Sequence, residues 1–179
     1  TMPVTKIELT DLPFYNVGWM PLNTDPISER DARMGFPADK FNIFFNRVPG
    51  HQPITNENMK QCTEQLEETA AKIAPDEKLD VIAFACTTPC MLWGDEKINS
   101  IIAKVKKDVP IINPALSSRT ALQSLNAKTI GVVTSYEKDV NDMIVNHFQD
   151  HDFGVEKSVY LNLMTDYDVA RVSDSTLIS

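Results

Sequence analysis

Short apolar runs alternate with amphipathic stretches along most of this chain. Residues 14–20 and 41–48 read as strands, the second alternating and rich in Phe. Pro49, Gly50 and Pro53 then mark a loop, and Thr55 is placed to cap a helix. From Met59 onward, Cys62, Leu66, Ala70 and Ile73 recur at helical spacing and lay one stripe along a helix. Cys62 belongs to that stripe and is expected in the core. Residues 79–85 form a continuous apolar run of strand length, the pattern of a strand covered on both faces. That run stops at Cys86-Thr87-Thr88-Pro89.

The alternation continues to the end. Ile98, Ile101, Ile102 and Val105 keep a helical period, and residues 109–112 make a short strand ended by Asn113-Pro114. Ala121, Leu122 and Leu125 mark another helix, and residues 129–133 another buried strand, ending in Thr134-Ser135-Tyr136. Val140, Met143, Ile144 and Phe148 give one more helical face. Residues 159–163 are the last strand candidate, and 169–179 begin a helix. Strand–helix alternation of this kind predicts an α/β fold with a mostly parallel sheet and right-handed crossovers.

Charge narrows the function classes. A net charge of −8 argues against a nucleic-acid or anionic-membrane partner, because gripping phosphates takes Lys and Arg. No run approaches the ~20 apolar residues that cross a bilayer. The first ten residues lack the basic start and apolar run of a signal peptide, so a cytoplasmic protein with reduced thiols is expected. Cys62, Cys86 and Cys90 are not spaced for zinc, and His51, His147 and His151 read as scattered surface or loop residues, so no metal is expected. The glycines are isolated, which disfavours a nucleotide cofactor.

Two loops stand at carboxyl ends of apparently buried strands, 85–89 and 133–136, where open α/β sheets bind ligands. Cys86 leads the first. Helix-start N–H groups there favour a thiolate or a substrate carboxylate, yet position alone suits a small buried hydrophobe equally well. Cys90, a turn later, reads as packing. Thr87 and Thr88 suit either carboxylate binding or helix capping. Ser135 and Tyr136 offer a second anion loop, or else a half-exposed aromatic at a strand end. The polar segment 21–33 follows the first strand, with Asn23, Thr24 and Asp25 placed near a ligand and Glu29–Arg33 as a solvated helix start.

The stretch Asp80-Val81-Ile82-Ala83-Phe84-Ala85-Cys86-Thr87-Thr88, with Gly94 after it, resembles the first cysteine motif of the aspartate/glutamate/hydantoin racemase superfamily. The closest likeness is to the branch holding maleate cis-trans isomerases, arylmalonate decarboxylases and ectoine-utilisation proteins. Thr24-Asp25 with Ser28-Glu29-Arg30, Asn46-Arg47-Val48, residues 130–136 with Val140-Asn141, and residues 166–172 support it in order along the chain.

The resemblance implies two pseudo-symmetric Rossmann-like lobes, residues 1–113 and 114–179, the second incomplete because the family continues into a second Cys-Thr motif. It implies a cofactor-independent racemase or isomerase of a small carboxylic acid, working through cysteine acid–base or thiolate chemistry, as a homo-oligomer. By the same carry-over, Cys86 is the first-lobe thiol, and Thr87, Thr88 and Tyr136 bind carboxylate, with Ser135 expected beside them from its place in the second anion loop. Asp25 falls where maleate isomerases carry a carboxylate-binding Asn. An acid there repels a dicarboxylate and shifts the likeness toward the ectoine-utilisation proteins. Decarboxylation is the least favoured chemistry, since arylmalonate decarboxylases keep the second-lobe thiol and lack the first. The rival expectation is a non-catalytic small-carboxylate-binding or regulatory protein of the same fold.

Overall fold

Parallel pairing governs the architecture of the computed structural model, which describes residues 8 and 10–178. The signal-peptide reading therefore falls largely outside the described residues, as does Ser179 at the end of the last predicted helix. In chain order the elements are β1 (Tyr15–Met20), α1 (Ser28–Gly35), β2 (Phe41–Phe45), α2 (Asn56–Glu64), α3 (Leu66–Lys72), β3 (Val81–Phe84), α4 (Thr87–Trp93) and α5 (Asp95–Ala103). They continue with β4 (Ile111–Ile112), α6 (Pro114–Ser124), β5 (Thr129–Thr134), α7 (Lys138–Gln149), β6 (Gly154–Tyr160), α8 (Asp166–Val169) and α9 (Asp174–Ile178). One sheet has the order β2-β1-β3-β4 and a second pairs β5 with β6, every pairing parallel. The change of sheet comes after β4.

The first sheet holds the larger core. Ile82, Phe84 and Met20 are fully buried against Met59, Cys62, Leu66, Ala70 and Ile73, the helical stripe expected from the sequence. That stripe is carried by two helices rather than one. The chain breaks at Gln65 (φ −90°, ψ −4°) while the apolar face runs on across the break. Thr55 caps α2 as expected, its side chain accepting from Asn58 N–H at 3.3 Å. The helix after Cys86 is likewise two, split at Gly94, whose φ of +81° is a left-handed value that glycine adopts without a Cβ penalty. Gly18 serves the packing. A Cβ there would lie 3.0 Å from Leu79 Cδ1 and 3.1 Å from Ile82 Cγ1, so β1 and the apolar layer approach at glycine distance.

The second sheet departs from expectation in two ways. Residues 129–133 read as a strand covered on both faces, but β5 alternates: Val132 and Thr134 are buried, while Val133 is 65% exposed. Among the described residues only the face toward α7 is filled, by Val140, Ile144 and Phe148. The last strand was expected at 159–163 and instead begins at Gly154. Its first half, Gly-Val-Glu-Lys-Ser, is an edge strand with little buried surface and so carries no apolar signature. Beyond β6 the backbone stays in step: Leu161, Asn162 and Leu163 N–H donate to Thr134, Tyr136 and Ser135 carbonyls. The expected terminal helix is two short ones, α8 and α9.

Helices α5, α6 and α7 meet through a polar cluster. Arg119 of α6 donates to Asp95 of α5 at 2.7 Å, with both side chains nearly buried, and its other nitrogen lies 3.0 Å from His147 Nε2 on α7. His147 is thus no scattered surface histidine. It is buried in a helix face, with His151 stacked at 4.5 Å between ring centroids. Burial, then His151 and the Arg119 charge, hold its pKa down to about 4, against the opposing pull of Asp95 and Asp150. A base whose folded pKa is depressed leaves the unfolded chain binding more protons between the two values. Stability should therefore decline as pH falls from about 6.5 toward about 4. Urea midpoints across that window should fall less steeply in His147→Gln than in the parent, and parallel slopes would refute the assignment.

Candidate active site

β3 ends the central run of the first sheet, and the next residues turn its carboxyl end into a site. Ala85 N–H still pairs with Met20 O at 2.9 Å, so Cys86 leaves the sheet in a fixed direction. Its backbone is extended (φ −136°, ψ 123°) and it stands at the N-cap of α4. The Thr88 N–H is directed at the Cys86 sulfur. Cys90 Sγ, one turn on, donates back to the Cys86 carbonyl at 3.2 Å and is fully buried, the packing role expected of it.

The loop after β1 forms a second wall. Leu22 bridges to Val48, and Asn23 N–H donates to Val48 O at 2.9 Å. Arg47 then ties the loop down. Its Nη1 donates to the carbonyls of Leu22 at 3.0 Å and Asp25 at 2.8 Å, while its Nε pairs with Glu29 at 2.8 Å. Asp25 Oδ1 accepts from Ile27 and Ser28 N–H, both at 2.9 Å, an Asx turn that opens α1.

A third wall comes from the far end of the chain. After β6 the backbone returns to the first sheet, where Ile54 N–H meets Met164 O at 2.9 Å. This seats Asp166 beside the loop. Asp166 Oδ2 accepts from Thr24 Oγ1 at 2.5 Å and from Gln52 Nε2 at 2.8 Å. Asp25, Ala85, Cys86, Thr87, Tyr136 and Asp166 together line a cavity of about 170 Å³, with Leu22, Pro26, Ile27, Val169 and Ala170 completing its wall.

The charges there act against a thiolate. Burial raises the Cys86 thiol well above its ordinary pKa, Cys62, Cys90 and Asp166 push the same way, and the Thr88 N–H offsets only part of it. The helix start was expected to favour the anion; burial outweighs it, and Cys86 rests as a neutral thiol. Tyr136 is pushed up to about 12 by burial and by Cys86, although the Thr88 and Thr87 hydroxyls interact with its own. It therefore stays a hydrogen-bond donor at neutral pH.

The structure brings four of the six sequence-derived candidates, Asp25, Cys86, Thr87 and Tyr136, to one cavity. Thr88 is buried behind them, offering its N–H to Cys86 and its hydroxyl to Tyr136. Ser135 does not line this cavity. It faces a wider groove of about 690 Å³ along the second sheet, which Thr87 and Tyr136 border from the other side. Three residues escaped the sequence reading of the site: Asp166, Gln52 and Arg47. Asp166 and Arg47 stand in segments whose resemblance was noted, but their approach depends on contacts 142 and 22 residues apart in sequence. Gln52 carried no signal at all. Among the described residues no cluster of three or more His, Cys, Asp or Glu is arranged to hold a metal, and no helix is long and apolar enough to cross a membrane.

The family model described as arylmalonate decarboxylase (Amdase) matches residues 42–179. The chain belongs to this family. Solved structures place the arylmalonate decarboxylase family fold over nearly all of it. A Nocardia farcinica maleate cis-trans isomerase, bearing a covalent succinylcysteine intermediate, superposes with a TM-score of 0.83 at 17% identity, covering 92% of this chain and 71% of that one. A Pseudomonas putida maleate isomerase with maleate gives 0.77 at 20% identity, covering 92% and 70%. A liganded arylmalonate decarboxylase variant gives 0.78 at 14% identity, covering 92% and 69%. The maleate isomerase of Alcaligenes faecalis is 18% identical over 150 residues, 80% of this chain, and the chain spans 58% of that relative's length. The α/β fold with parallel sheets and the racemase-like superfamily expected from the sequence are thus established.

Arg47 holds the loop by three kinds of contact, so Arg47→Ala should leave the core intact and loosen residues 22–25. Hydrogen exchange should speed up at Asn23 and Asp25 N–H, with Ile82 N–H unchanged. Unaltered exchange at Asn23 and Asp25 would show that the strand bridge alone suffices.

Proposed function

We propose that the protein is a cofactor-independent isomerase or racemase of a small carboxylic acid, with Cys86 as an acid–base group. One observation carries the reading. A neutral thiol and two hydroxyl donors, Thr87 and Tyr136, converge on a single small cavity at the carboxyl edge of a parallel sheet. A carboxylate accepting from Thr87 and Tyr136 sets its α-carbon toward the sulfur. Transfer of the α-proton to the Cys86 sulfur in its thiolate form gives an enediolate, whose added negative charge the same donors stabilise. As a neutral thiol, Cys86 delivers a proton to one face of that carbon; as the thiolate left behind, it takes one back. Thr88 N–H steadies the thiolate. Isomerisation through thiolate addition to a double bond would use the same sulfur and the same carboxylate donors.

Thr87 follows a strand of the first sheet and Tyr136 a strand of the second, which makes the cavity sensitive to how the second sheet sits. The likeness to maleate isomerases and an arylmalonate decarboxylase supports chemistry at carbon next to a carboxylate. A purely binding role has no specific observation in its favour, because it leaves the thiol without a task.

Cys86→Ser should cut solvent deuterium exchange at the α-carbon of the cognate acid by at least about 100-fold, the usual range for a positioned acid–base group, with unfolding midpoint unchanged. Tyr136→Phe should cost roughly 10-fold or more, the loss of one hydrogen bond to a charged group. Both are read by proton NMR in deuterated buffer over a panel of small acids. Undiminished exchange in Cys86→Ser would overturn the assignment.

A further inference from the structure

The titratable groups around the Cys86 sulfur are Cys62 from α2, Cys90 from α4, Asp166 from α8, Tyr136 from the loop after β5 and Asp25 from the loop after β1. No Lys, Arg or His lines the cavity. The two other thiols and the phenol repel an anion only once they are ionised themselves. Burial pushes Cys62 and Tyr136 up to about 12 and raises Cys90 as well, so at neutral pH all three are uncharged. Of the two carboxylates, Asp166 is the one that bears on the Cys86 proton. Beyond burial of the sulfur, the charge left acting on Cys86 at neutral pH is therefore that of Asp166.

Geometry keeps that charge in place. Asp166 Oδ2 accepts from Thr24 Oγ1 at 2.5 Å and from Gln52 Nε2 at 2.8 Å, two neutral donors. No ion pair neutralises it among the described residues. The backbone before it is tied to both sheets, Leu163 N–H to Ser135 O at 2.8 Å and Met164 O to Ile54 N–H at 2.9 Å. We propose that Asp166 is a positioning residue for the Cys86 proton: its carboxylate, clamped by Thr24 and Gln52 at the cavity wall, holds the sulfur as a thiol at rest and limits how much of it stands ready as a base. The consequence for turnover rests on the reading of this cavity as the place of Cys86 chemistry; the effect on the thiol itself stands apart from that reading.

The hold has two effects of opposite value. Proton abstraction needs the thiolate, so Asp166 slows that step at neutral pH. Electrophiles and oxidants also attack the thiolate, so the same charge shields the sulfur between turnovers. Its reach extends to Tyr136, whose hydroxyl proton it helps to retain after burial and Cys86.

The test uses the intact protein and iodoacetamide, an uncharged reagent that a carboxylate neither attracts nor repels. Cys86 borders the cavity, while Cys62 and Cys90 are buried. Alkylation at Cys86, which proceeds through the thiolate, is read by peptide mass spectrometry at about pH 8. Asp166→Asn keeps an acceptor oxygen for Thr24 and Gln52 and should speed it about ten-fold, the thiolate gained when one unit of like-charge repulsion is lifted. Asp166→Ala, which removes the charge by another route, should act in the same direction, and Asp166→Glu should keep the parent rate. Cys90 serves as an internal control, because Asp166 does not bear on its proton: its rate should hold in every variant, whereas a loosened fold would speed both. Over the panel of small acids, the acid limb of the α-proton exchange profile should move to lower pH in Asp166→Asn. A structural role would lower the rate at every pH and leave that limb in place. Unchanged Cys86 alkylation in Asp166→Asn, or equal acceleration in Asp166→Glu or at Cys90, would overturn this proposal and leave the proposed function standing. Faster Cys86 alkylation without Cys86-dependent exchange of any acid would uphold the hold of Asp166 on the thiol and overturn the proposed function.

Discussion

Parallel pairing sends every strand of the first sheet to the same edge, and all that the site contains hangs from that constraint. β1 and β3 run side by side in register, Val17 opposite Val81 through Met20 opposite Phe84. Their continuations, Pro21-Leu22 and Ala85-Cys86, must therefore emerge together. An antiparallel neighbour would have sent the loop of Asp25 to the opposite end of the molecule. The register is held by burial of Ile82 and Phe84 and by the absence of a side chain at Gly18, which lets the helical layer close on the sheet. Apolar contacts of no chemical interest thus decide where a thiol and a carboxylate face each other.

Once the groups meet, the helix start and the surroundings of the sulfur pull Cys86 in opposite directions. The start of α4 points an N–H at the sulfur, which favours the anion. Burial of the sulfur first, then Cys62, Cys90 and the carboxylate of Asp166, favour the neutral thiol, and they prevail. The result is a proton donor at rest. A thiolate enzyme built on the same strand end would need a cation in place of one of these acids. Arg47 is the nearby structural cation of the loop, yet its guanidinium is committed to Glu29 and three carbonyls. It shapes the cavity without charging it.

The first sheet was legible in the sequence because its strands are buried and its helices amphipathic. The run 79–85 and the stripe from Met59 to Ile73 advertise their partners by composition alone. Cys86 was legible only as a position, equally suited to packing, and the ordered resemblance to a known family tipped it. β6 was misplaced because an exposed edge strand has no reason to alternate. His147 was read as a surface residue because a lone His on a helix face gives no hint of a buried Arg119 and Asp95 around it. Asp166 and Gln52 were invisible as site residues. Their role arises from tertiary contact with Thr24 and with each other, which no local pattern encodes.

The return of the chain from β6 to the first sheet also has a kinetic meaning. Thr24 and Asp166 are separated by 142 residues, so their contact closes nearly the largest loop available to this chain. Closing a loop of that length is entropically costly and adds little by itself. A contact of that sequence separation is expected to form later than the local helices. The first sheet can gather its apolar core while the cavity is still open on one side, with Cys86 exposed to water and to oxidants. During folding, the sulfur is at its most vulnerable before the acid that will guard its proton arrives.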